Sequence, residues 1–166
     1  MSNKIRSIAK ARERQQAKSG EITVSLGRLI HCGMQTEQNP FPSLFVLVGQ
    51  ELPIRQSFLL GKLTKSVSAE IEQYQASRKT LCEKYSEKDG EGKARMIDAE
   101  GKPVAEGQPG NYDIPKERMD DFSKEHQELI DTEVSIPGVK IKINDLAGVK
   151  ISPAHVMALE WLICEG

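Results

Sequence analysis

Residues 52–67 read Leu52-Pro-Ile-Arg-Gln-Ser-Phe-Leu-Leu-Gly-Lys-Leu-Thr-Lys-Ser-Val67, and the chain runs on to Tyr85 without another proline. Beyond Pro53, apolar or aromatic side chains fall at Ile54, Phe58, Leu60, Leu63, Val67, Ile71, Tyr74, Leu81 and Tyr85. Most are three or four residues apart, the spacing that gathers side chains on one face of an α-helix. Pro53 stands at a first-turn position, where its missing N–H has no intrahelical bond to lose. The spacing predicts a single helix over Pro53–Tyr85, about 50 Å long at the ordinary helical rise. A rod of that length outruns the core that one small domain builds. The stripe Leu63, Val67, Ile71, Tyr74, Leu81 and Tyr85 is therefore expected to form a protein interface. The pattern speaks for assembly rather than catalysis.

The flanking segments supply the other elements. A second helix is expected from Pro115 to about Glu133, with Met119, Phe122, His126, Leu129 and Ile130 on its apolar side and Asp113 placed to cap it. Asp89-Gly-Glu-Gly92, Glu100-Gly-Lys-Pro103 and Gly107-Gln-Pro-Gly-Asn111 are turn clusters. Between them, Ala94–Ile97 and Pro103–Ala105 suit the arms of a small β-hairpin. No internal repeat is read. Upstream, Glu21–Leu26 alternates as a strand does, and Leu26, Leu29, Ile30 and Met34 suit a short helix. Leu44–Val48, after the break at Asn39-Pro-Phe-Pro-Ser43, fits either a buried strand or the first turns of a helix. Downstream, Val134–Ile136 and Val139–Ile143 alternate across Pro137-Gly138 and are predicted to be antiparallel strands sharing a sheet with Ile22–Val24. Ser152-Pro153 starts a C-terminal helix, with serine as cap and proline at the first helical position. Val156, Leu159, Trp161 and Leu162 are expected to pack against Phe58 and Leu60.

The 166 residues fit one domain with an arm. The hydrophobic share is 38% and the aromatic share 5%, which suits helices packed along stripes better than a thick core. No apolar run is long enough to span a membrane, and residues 1–6 lack the apolar block of a secretion signal. Cys32, Cys82 and Cys164 are odd in number and widely spaced, as reduced thiols are. The net charge of −1 conceals an asymmetry: Lys4, Arg6, Lys10, Arg12, Arg14 and Lys18 against Glu13 give residues 1–20 a charge of +5, leaving −6 elsewhere. That arm is the place where an acidic protein surface or nucleic-acid phosphates would be held.

Each group that could do chemistry has a plainer reading. His31 and Cys32 are neighbours whose side chains diverge, and no carboxylate is near in sequence. His126 reads as a packing residue that hydrogen-bonds across to the long helix, and His155 as part of the last helix's first turn. Glu87-Lys-Asp-Gly-Glu-Gly92 lacks the register of a calcium loop and reads as a solvated turn. The glycines make no phosphate cradle, and Asp120-Asp121 diverge on their helix. No catalytic residue, cofactor, metal or small-molecule substrate is expected.

Four segments together are similar to a family of short tailed-bacteriophage proteins with no assigned activity. They are Leu52-Pro-Ile-Arg-Gln-Ser-Phe-Leu-Leu-Gly-Lys-Leu63, Arg78-Lys-Thr-Leu-Cys-Glu-Lys-Tyr85, Phe122-Ser-Lys-Glu-His-Gln-Glu-Leu129 and Ile151-Ser-Pro-Ala-His-Val-Met-Ala-Leu-Glu160. The resemblance spans roughly Ile22 to Ile163; the basic arm and the Asn39-Pro-Phe-Pro42 insertion depart from it. It implies a phage or prophage origin, and a place in the host cytoplasm during infection or in the virion. The combined expectation is an α+β chain. Residues 1–20 form a basic arm and 21–166 a single domain. That domain is a long antiparallel helical hairpin, Pro53–Tyr85 against Pro115–Glu133, with residues 87–114 as its tip, beside a small antiparallel sheet and the C-terminal helix. Its expected partners are a second copy or other phage proteins, with nucleic acid reached through the arm.

Overall fold

The computed structural model describes residues 20–105, 108–138 and 140–165. The arm cations Lys4, Arg6, Lys10, Arg12, Arg14 and Lys18 lie outside the described residues, as does Val139. The elements in chain order are β1 (Glu21–Ser25), α1 (Leu26–Gly33), α2 (Ser43–Val48), α3 (Ile54–Tyr85), β2 (Met96–Ile97), β3 (Asn111–Tyr112), α4 (Lys116–Asp131), β4 (Glu133–Pro137), β5 (Ile141–Lys142), a 3-10 turn (Ile143–Leu146), α5 (Pro153–Ala158) and β6 (Ile163–Cys164). The chain is thus mixed helix and small sheets, with one helix of 32 residues. The contacts gather in two compact units. One holds the described residues up to Ile71 and from Thr132 onward; the other is Glu72–Asp131.

In the first unit β1 pairs antiparallel with β4, setting Ile22 opposite Ile136 and Val24 opposite Val134. The alternation works as it should: Ile22, Val24 and Ile136 turn inward, while Thr23 and Ser135 share a 3.1 Å hydrogen bond. The expected pairing of Val134–Ile136 with Val139–Ile143 does not form. Pro137-Gly138 is not a turn, because the Gly138 N–H donates to the Gly20 carbonyl at 2.8 Å and carries the ladder onward alongside β1. β5 pairs instead with β6, in parallel, with Ile141 opposite Ile163. The C-terminal helix begins as predicted, the Ser152 hydroxyl accepting the His155 N–H, but it ends at Ala158 and leaves Trp161 and Leu162 in a turn.

The core of this unit draws on both ends of the chain. Leu60, Leu63, Val67 and Ile71 of α3 are buried among Leu29 and Cys32 of α1, Leu44 and Leu47 of α2, and Ile136, Leu159, Trp161 and Leu162. The expectation that Leu63, Val67 and Ile71 need an outside partner is therefore corrected: the chain's own α1, α2, β4 and the residues after α5 cover them. Phe58, expected beside Trp161, is 62% exposed, whereas Leu60 is 1% exposed. Residues two apart on a helix point to opposing sides, so only one of the two could face the core. α1 comes close to α3 because Gly33 has no side chain; a Cβ there would lie 2.8 Å from Val67 Cγ1 and 3.0 Å from Ile71 Cδ1.

In the second unit, Tyr74 and His126 share a 3.0 Å hydrogen bond between the hydroxyl and Nε2. Phe122 stacks on His126 at 5.8 Å, and Tyr85 meets Phe122 edge-on at 6.1 Å. Between α3 and α4 the chain makes two turns of one design. The Asp89 carboxylate accepts the N–H groups of Glu91 and Lys93, and the Asp98 carboxylate those of Glu100 and Lys102. Gly92 and Gly101 close them at φ of 82° and 80°, a backbone that suits glycine. The small hairpin around Asp98 forms, with Val104 N–H donating to Met96 O and Ile97 bridging to Pro103. Asp113 does not cap α4; its carboxylate takes Arg95 Nε at 2.6 Å.

Replacing Gly33 with alanine forces Val67 and Ile71 to shift. We expect Gly33→Ala to lower unfolding stability by about 1–3 kcal/mol, measured by urea denaturation followed by circular dichroism.

Candidate protein-interaction surface

α2 follows the proline-rich break and is apolar at every position after Ser43, Leu44-Phe-Val-Leu-Val48. A six-residue helix can press only one side into a core. Leu44 and Leu47, three apart, take that side and are fully buried. The adjoining side carries Phe45 and Val48, exposed by 45% and 39%, and Phe41, just before the helix, is 72% exposed. The first turn of α3 repeats the situation, with Ile54 89% exposed and Phe58 one turn later. The Lys62 ammonium stands 4.8 Å above the Phe58 ring. Three of the chain's four phenylalanines thus face solvent within 18 residues, Phe122 being the half-buried one. Large apolar side chains left open to solvent are candidates for a contact surface.

A groove of about 400 Å³ opens at the start of α2, lined by Gln35, Pro40, Phe41, Pro42, Phe45 and Val46. Its walls are apolar apart from the Gln35 amide. The sequence reading did not single out these residues: it packed Phe58 against the C-terminal residues, gave Ile54 no role beyond the apolar face of α3, and left Leu44–Val48 as strand or helix. The available signal was α2 itself: a run with apolar residues on both faces has to bury one and offer the other.

The stripe predicted as an interface divides in two. Leu63, Val67 and Ile71 lie in the first unit's core, and Tyr74 is buried against His126 in the second. Leu81 and Tyr85 are half-buried. The Tyr85 hydroxyl donates to Glu125 at 2.7 Å, and Lys84 spans both Glu125 oxygens at 2.6 and 2.8 Å. These bonds favour the ionised carboxylate and pull the Glu125 pKa down.

The structure brings one serine and one histidine together that sequence spacing left apart. Ser43 Oγ lies 2.9 Å from His155 Nδ1 and ties the start of α2 to α5. Among the described residues no carboxylate is hydrogen-bonded to the other ring nitrogen, so the pair lacks the orienting group of a nucleophilic triad. His31 is exposed while Cys32 is buried, so these neighbours do diverge. The Cys32 thiol donates to Ala158 O at 3.0 Å and accepts the Trp161 indole N–H. Burial raises the pKa of Cys32 and of Cys82, which disfavours the reactive thiolate. In the second unit a cleft of about 670 Å³ is lined by Lys79, Lys93 and Arg95 together with Glu83, Asp89 and Glu91. Its balanced charge selects no class of ligand.

Comparison with protein-family models, with curated proteins and with solved structures gives no match to this chain.

His126 provides a pH test of the contact between α3 and α4. Burial and then the Arg78 charge lower its pKa from 6.5. The unfolded chain therefore takes up this proton at a higher pH than the folded one. The stabilising effect is full above about pH 6.5 and is lost as the pH falls through the window below it. We expect denaturation midpoints to drop over that window, and the His126→Phe variant to show a shallower drop.

Proposed function

We propose that this chain is a non-enzymatic bacteriophage structural or assembly protein. It acts through protein–protein contacts, as an oligomer or docked on a larger phage component, in the host cytoplasm or within the virion. The observation that carries this reading is the exposure of Phe41, Phe45 and Val48 at α2 and of Ile54 and Phe58 at the start of α3. The contact surface therefore moves from the inner stripe of α3 to its first turn and to α2. The phage assignment rests on the resemblance of the four segments described above.

In this reading α3 and α4 act as a long antiparallel helical hairpin with residues 87–114 as its tip. What supports the antiparallel sense is the order of contacts. Tyr74 meets His126, Tyr85 meets Phe122, and the Tyr85 carbonyl accepts Arg118 Nη1 at 3.5 Å.

During infection, the tagged chain is expected to co-sediment with particles or assembly intermediates, and Phe45→Asp to release it while leaving its circular dichroism unchanged. Recovery of the wild-type chain only in the free fraction would overturn the reading.

A second reading follows from the charge of +5 on residues 1–20. The chain would then be a small modifier whose arm binds nucleic acid or a nucleic-acid-processing protein. Deleting residues 1–20 should abolish that binding and leave the fold intact, and raised salt should weaken it steeply. Unchanged binding after the deletion excludes it.

A further inference from the structure

We draw no further inference here: the strongest candidate, the apolar groove at the start of α2 walled by Pro40, Phe41, Pro42 and Phe45, carries none because nothing in the structure shows what covers it.

Discussion

The buried side of α3 over Leu60, Leu63, Val67 and Ile71 is the constraint on which the first unit depends. A helix side of that length cannot stay wet, since each such side chain stabilises the fold by about 2 kcal/mol when removed from water. The cover comes from α1 and α2, which precede α3, and from β4, β5 and the residues after α5, near the C-terminus. Closing the chain around α3 in this way brings β1 beside β4 and β5 beside β6. Gly33 marks how tight the closure is, because the backbone of α1 approaches α3 to within the width of a methyl group.

The second unit is held by a different balance. Tyr74, Cys82 and Ser86 are its buried residues among those described, none of them aliphatic. Its cohesion lies in directional contacts: the Tyr74–His126 hydrogen bond, the stack on Phe122, and Glu125 gripped by Lys84 and Tyr85. In the loops, Arg95 pairs with Asp113, and the backbones of Glu87, Arg95 and Asp113 bond to one another in a ring. Contacts of this kind are individually worth little when half-exposed, so this unit should open at lower free energy than the first.

The outward surface follows from the inward one. Once Leu44 and Leu47 of α2 and Leu60 of α3 are committed to the core, Phe45, Val48 and Phe58 have only solvent or a partner left to them. The proline-rich break ahead of α2 keeps that helix short and leaves Phe41 exposed just before its start. Packing thus leaves over a remainder of aromatic and aliphatic side chains at α2 and the start of α3.

Much of the local chemistry was legible, though Asp113 pairs with Arg95 instead of capping α4. The 3–4 spacing after Pro53 marked α3, the Ser152-Pro153 pair marked the start of α5, and Glu21–Ser25 alternated as β1 does. His126 was readable as a packing residue bonded to the long helix. The repeated Asp-x-Glu-Gly-Lys at residues 89–93 and 98–102 was also there to be read and was passed over, because two short turns nine residues apart do not look like a fold repeat.

Pairing and facing were decided elsewhere. Periodicity reports that a helix has an apolar stripe, not whether the chain's own distant segments will cover it; Leu63, Val67 and Ile71 looked open for that reason. Nor does it say which of Phe58 and Leu60 turns inward, or that β4 continues along β1 instead of folding back at Pro137-Gly138. Those outcomes depend on contacts between residues far apart in sequence, whose joint burial is weighed only when the whole chain closes. The sequence by itself determined where the long helix and the last helix begin; the tertiary structure alone decided which apolar side chains remain exposed.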